Sequence, residues 1–270
     1  MRNPMRTGLT MASLVLLLAA CDDSGSQVTG PGSAGAGSVS LSIAAPAAGG
    51  ATMAVGSGAM FDIVQNDGAS ELVIQRTALV LREIELERQF DDDCDDHLPG
   101  EDDDCEEFST GPMILELPMD GSVDHVVTIN DVPADTYDEV EFEIHKPEDN
   151  TAEDLEFIRA NPDFERVSIR VEGTFDGSPF TYVTDLNEDQ EYNLVPPLVV
   201  NGTEAVNLTL SIDVTTWFVA PGGSLVDPTS ANKGGPNEDL VEENIERSIE
   251  VFEDDDRDGD DDSDDSSDDS

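Results

Sequence analysis

Val140-Glu141-Phe142-Glu143-Ile144-His145 alternates apolar and polar residues without a break. Side chains on an extended chain point to opposite faces in turn, so this run has one apolar face to bury and one acidic face to wet. The pattern returns at 167–174, where Val167, Ile169 and Val171 alternate with Ser168, Arg170 and Glu172. It returns again at 206–214, where Val206, Leu208, Leu210, Ile212 and Val214 alternate with polar residues. Shorter runs at 61–64, 113–117, 123–129 and 180–183 share the β-branched and aromatic bias of strands. Asp176-Gly177-Ser178-Pro179 reads as a hairpin turn between two of them. Residues 71–88 read as one long strand, because Val73, Ile74, Thr77, Val80 and Ile84 are β-branched, with a helix as the competing reading, since Glu83, Glu85 and Leu86 suit one. The slip in phase between Leu81 and Ile84 predicts a bulge or bend there. Pro196-Pro197 makes 192–200 an edge strand or a strand end.

Many short strands with turn punctuation predict a mainly β chain, a single antiparallel β-sandwich over residues 60–236. One short helix is expected at 152–160. A second, at 237–253, is read as docking on the sandwich: Asn237 can cap it, and Val241, Ile245, Ile249 and Phe252 recur at helical spacing. Both termini read as disordered. Residues 21–59 are mostly Gly, Ser, Ala, Pro and Thr and read as a flexible tether, although 39–43 alternates like a first strand. Residues 254–270 read as an acidic tail.

The N-terminus carries Arg2 and Arg6, then a short apolar stretch around 14–18, then Leu18-Ala19-Ala20-Cys21. The apolar stretch suits a signal peptide over 1–20 and is too short to span a bilayer as a mature helix. Its last four residues resemble the bacterial lipobox. That resemblance implies cleavage before Cys21 and lipid on Cys21, which acyl chains would hold in a membrane. An ordinary secretory signal with a chance cysteine is the alternative.

The chain holds 62 Asp and Glu against 12 Lys and Arg, a formal charge of −50. Nucleic acid is excluded as a partner, because no basic patch exists to displace counterions from phosphate. An acidic surface with so few lysines suits a salty or cation-rich surrounding.

Ile129-Asn130-Asp131-Val132-Pro133-Ala134-Asp135-Thr136-Tyr137 leads into the strand at 140–144. This resembles the Val-Pro-Ala-Gly-x-Tyr turn of prealbumin-like and carboxypeptidase-regulatory-like β-sandwich domains, which occur in uncharacterised bacterial envelope lipoproteins. Asp135 stands where that motif has Gly, and Asp tolerates a left-handed turn better than most residues. The resemblance implies a β-sandwich and says little about activity.

Direct signs of catalysis are missing. No Gly-x-Ser-x-Gly elbow or phosphate-binding loop is present. Acids are too numerous for a glycosidic pair to stand out. Trp217, at the end of an alternating strand, reads as core. His125 and His145 could face each other across a hairpin turning at 132–137, with Glu143 or Asp124 as a third zinc ligand. Two surface histidines on an acidic face are the plainer reading.

Asp254, Asp256, Asp258 and Gly259 match the first half of an EF-hand-like D-x-D-x-D-G loop, which sets three carboxylates around one cation. Asp260 and Asp265 extend the acidic set, Asp265 standing where the motif wants a bidentate Glu. Weak calcium binding is the expectation, against a solvated acidic tail. The other dense acidic stretch is 90–108, eleven of whose nineteen residues are acids. Cys94 and Cys105 lie within it around Pro99-Gly100, and read as a disulfide in an oxidising compartment once Cys21 is lipidated. A zinc site with His97 is the alternative.

These features predict an acidic, non-enzymatic lipoprotein of the bacterial cell envelope, periplasmic or surface-exposed. It would be anchored to the membrane through its N-terminal lipid and serve a structural role or bind an envelope protein or glycan. An envelope hydrolase or carbohydrate-binding module is the alternative.

Overall fold

Alternation becomes two sheets. The structure is a computed structural model and describes residues 36–45, 52–55, 61–89, 106–202 and 205–262, all within one compact unit, Ala34–Ser270. Cys21, Cys94, Cys105 and His97 lie outside the described residues. The described strands are β1 (Ala36–Ala44), β2 (Thr52–Val55), β3 (Phe61–Asn66), β4 (Glu71–Arg88), β5 (Glu106–Glu116), β6 (Val123–Pro133) and β7 (Thr136–Ile144). After helix α1 (Ala152–Ala160) come β8 (Ile169–Phe175), β9 (Ser178–Thr184), β10 (Glu188–Val199) and β11 (Ala205–Ile212). Helix α2 (Glu238–Glu246) and β12 (Ile249–Glu253) follow. One sheet has the order β12-β11-β1-β6, and the other eight strands assemble around β4. The main hydrophobic core draws on both sheets, from Val39, Leu41 and Ile43 to Ile84, Phe142 and the fully buried Trp217, and a smaller cluster forms around Ala78, Val80 and Phe164. The fold is thus mainly β, as the alternation predicts.

Strand β4 organises the larger sheet. Its first half pairs with β3 and β8, its second half with β5 and β7. The expected irregularity falls at Arg82, where both ladders of the second half shift register between Leu81 and Glu83. Arg82 leaves the ladder there and pairs with the fully buried Asp154 at the start of α1. Thr151 caps the same helix, its Oγ1 accepting from Asp154 N at 3.0 Å. Strand β10 is the edge strand that its prolines predict.

Three sequence expectations change. First, the strand suggested at 39–43 is longer, β1 spanning Ala36–Ala44 inside the stretch read as tether. Its Ser40 and Ser42 are small enough to be buried and find partners, Ser40 Oγ meeting Thr128 Oγ1 at 3.3 Å and Ser42 Oγ donating to Asn207 Oδ1 at 2.8 Å. Composition counts such serines as solvent-loving, whereas Val39, Leu41 and Ile43 each contribute roughly 2 kcal/mol of apolar burial. Second, β1 pairs with β11 in parallel. The long chain between them imposes no hairpin, so antiparallel pairing is not forced. Third, the helix expected over 237–253 ends at Glu246. Ser248 stops it: its Oγ donates to Ile245 O at 2.6 Å, Trp217 Nε1 donates to that Oγ at 2.6 Å, and Asp213 N donates to Ser248 O at 2.9 Å. Ile249 then begins β12, because a spacing of four serves a strand as well as a helix. Asn237 does not cap α2 with its side chain; its Nδ2 donates to Ser230 Oγ at 2.8 Å.

The turn after β6 is a crossover between the sheets, with no ladder between β6 and β7. Asp131 takes the positive φ (65°), so the left-handed residue is not Asp135. Asp135 Oδ1 instead accepts from Thr136 N at 2.8 Å. Tyr137, fully buried, donates from its hydroxyl to Pro133 O at 3.0 Å and closes the corner. Tyr137→Phe should lower unfolding stability by about 1 kcal/mol in denaturant titration, with an unchanged m-value.

Candidate metal centre

Strand β11 carries apolar residues inward at Val206, Leu208, Leu210 and Ile212, yet its other face is buried as well, at Asn207, Thr209 and Ser211. The chain leaving β12 covers that polar face. Asp254 N donates to Asn207 O at 3.0 Å, and Asn207 Nδ2 donates back to Asp254 O at 2.8 Å. Thr209 Oγ1 donates to Asp254 Oδ2 at 2.8 Å. With the bond from Ser42 to Asn207, buried polar groups run from β1 through β11 to one carboxylate.

Beyond Asp254 the loop closes on itself. Asp258 N lies 3.1 Å from Asp254 Oδ1 and 3.2 Å from Asp256 Oδ1, and Gly259 N donates to Asp254 Oδ2 at 3.2 Å. The turn needs left-handed backbone at Arg257 (φ 60°) and Gly259 (φ 89°). Gly259 also packs on β6, where an added Cβ would stand 3.1 Å from Val123 Cγ2. One oxygen from each of Asp254, Asp256 and Asp258 lies within 4.8 Å of the others. A cation with oxygen ligands at roughly 2.3–2.6 Å can bridge such a set. Among the described residues no other three acidic, imidazole or thiol groups converge so closely.

The sequence-predicted set therefore divides. Asp254, Asp256 and Asp258 come together at motif positions one, three and five, with Gly259 at the sharp turn. Asp260 contributes its backbone N–H to Asp258 Oδ1 at 2.9 Å, and its carboxylate is not one of the converging three. Asp265 lies outside the described residues. The segment 254–262 is not solvated tail throughout, because Asp254 is 0% exposed and Asp255 N donates to Asp262 Oδ2 at 2.7 Å.

The electrostatics are unusual for a buried acid. Asp254 accepts from Thr209 Oγ1, Asp258 N and Gly259 N, all neutral, and among the described residues no Lys, Arg or His pairs with it. Burying an ionised carboxylate without a countercharge is costly. Desolvation, followed by the neighbouring Asp258 carboxylate, raises Asp256 above the usual carboxylate pKa. Desolvation and the charges of Asp255, Asp262 and Asp261 raise Glu253 as well. A bound cation would oppose each of these effects.

The histidines are not brought together. His125 Nε2 meets Thr128 Oγ1 at 2.9 Å on β6, while His145 Nδ1 meets Glu143 Oε1 at 3.0 Å beside β7 in the other sheet. The acidic face read at 140–145 is broader than one strand: Glu83 opposes Glu143 and Glu85 opposes Glu141 across β4 and β7, with Asp189 adjoining on β10. Those side chains line a cavity of about 320 Å³. Facing like charges oppose pairing, so this face too favours cations nearby. Its signal lay in the Glu-x-Glu alternation of both strands.

No protein family matches the chain, and no curated protein does. Among solved structures, MbnP from Methylosinus trichosporium is similar at 11% identity, covering 81% of this chain and 98% of its own, with a TM-score of 0.36. So distant a likeness has no bearing on the site.

Thr209→Val keeps the volume and removes the donor to Asp254. It should lower stability by about 1–3 kcal/mol in urea unfolding, the usual cost of leaving a buried acceptor short.

Proposed function

We propose that the protein is a calcium-binding β-sandwich module of the bacterial cell envelope, held to its membrane by lipid on Cys21, with a structural or partner-binding role and no catalytic one. The observation that carries the calcium reading is Asp254, a fully buried carboxylate held by neutral donors and facing two further carboxylates. Oxygen-only ligands favour a hard cation, and a loop with a left-handed glycine at its sixth position suits calcium's larger and more flexible shell. Two of the three carboxylates are exposed, so affinity belongs to the millimolar range of extracellular modules. Support for the anchor is the Leu18-Ala19-Ala20-Cys21 sequence, and the turn at Ile129–Tyr137 resembles that of envelope lipoproteins with prealbumin-like domains. The high acidity, at −50, fits a cation-rich exterior.

Thermal melts test this reading. With a Kd near 1 mM, about 10 mM calcium adds roughly 1.4 kcal/mol, or a rise in Tm of about 3–6 °C for a unit of this size. Asp256→Asn should remove the increment without unfolding the protein, since Asp256 is exposed. An unchanged Tm in wild type contradicts calcium binding.

The pH dependence has a definite sign. Glu253 and Asp256 have raised folded-state pKa values, so each is protonated more readily folded than unfolded. Their effect favours folding below the unfolded-state carboxylate pKa and is lost as pH rises through the folded-state values. Calcium competes with those protons. The calcium-induced rise in Tm should therefore be full near pH 7 and shrink as pH falls into the carboxylate range.

A further inference from the structure

A second feature lies at a seam in the larger sheet. Strand β8 covers β4 from Leu72 to Leu79 and overlaps the pairing of both β3 and β5 with β4. Strands β3 and β5 therefore share the opposite edge of β4. Pairing with β3 stops at Ile74, and pairing with β5 resumes at Ala78, preceded by Leu117 N donating to Thr77 O at 3.0 Å. Between the two strand ends opens a groove of about 430 Å³, within the size range of small-ligand sites.

The lining has two parts. Phe61, 37% exposed at the start of β3, and Met119, just beyond β5, give an apolar wall. Arg76, Glu116, Asp120 and Asp124 supply the charges, three negative against one positive. The positive one is already engaged: Arg76 holds both carboxylate oxygens of Glu116, with Nε to Oε2 at 3.0 Å, and its Nη1 lies 3.9 Å from Glu172. That pairing raises the Arg76 pKa and keeps the guanidinium from attracting an anion. Asp120 is fixed at the turn by Ser122, whose Oγ and N donate to Oδ1 at 2.6 and 3.1 Å, and those bonds hold its pKa below the usual carboxylate value. The groove thus combines an exposed aromatic wall with two negative charges in excess.

We propose that this seam binds a small organic monocation, an ammonium group carried on an aromatic or branched aliphatic body. The charge excess selects the cation, and the aromatic wall distinguishes an organic cation from a metal ion, which gains nothing from an apolar surface.

The probe is benzyltrimethylammonium, titrated into the full chain at about 0.15 M salt, where the general field of the acidic surface is screened beyond about 8 Å. Benzyl alcohol and benzoate serve as neutral and anionic controls, and the methyl resonance of Met119 reports binding. Saturable shifts are expected for the cation and not for the controls. Phe61→Ala should weaken binding about fivefold or more, as for loss of one cation–π contact. Asp124→Asn, at an exposed position, should weaken it in the same direction. Non-saturable shifts, equal response to benzyl alcohol, or an affinity unchanged in both variants would each overturn the proposal, the last marking plain counterion attraction.

Discussion

A single carboxylate, that of Asp254, sits at the join of the C-terminal segment and the smaller sheet. It is fully buried, bonded to Thr209 on one side and to two amides of its own loop on the other. The main chain of the same residue ties β12 to the smaller sheet. Strand β12 finds its register against β11 where Asp254 and Asn207 exchange bonds, and Asn207 is fixed in turn by Ser42 of β1. The polar face of β11 can be buried because these partners satisfy it. The carboxylate has hydrogen bonds and no countercharge among the described residues, which makes the loop an electrostatic problem with an obvious solution in a divalent cation.

The rest of the molecule meets the same problem on a larger scale. Acids oppose acids across β4 and β7, and the chain has few cations to set between them. Several of the described cations are used locally. Arg82 is turned out of the ladder at the bulge to neutralise buried Asp154, and Arg76 is committed to Glu116. Excess negative charge is left on the surface, where mobile cations can screen it.

Much of this was legible in the alternation. The strands with one acidic and one apolar face, the bulge in β4, helix 152–160 and the proline-marked edge all follow from local pattern. What escaped was pattern whose meaning depends on a distant partner. Strand β1 showed in the alternation at 39–43, but the stretch around it read as tether because Ser40 and Ser42 are buried only through Thr128 and Asn207, far along the chain. Ile249 fits the stripe of α2 equally well as the first residue of β12, and the choice is made by Ser248 meeting Trp217. The loop was half legible. Its carboxylate spacing is local, but its anchor, Asn207 and Thr209, read as a solvent face. One clue was present: the outward positions at 83–87 and 139–143 are Glu, while β1 and β11 carry Ser, Asn and Thr there. In β1 and β11 that uncharged face is the covered one.

The central claim is that the loop from Asp254 to Gly259 is a cation site built onto β11. A crystal of the full chain grown with calcium tests it most directly. The expected result is an anomalous density peak about 2.3–2.6 Å from one carboxylate oxygen each of Asp254, Asp256 and Asp258. A calcium-soaked crystal with no peak there, or with ions only along the acidic face of Glu83 and Glu141, would contradict it.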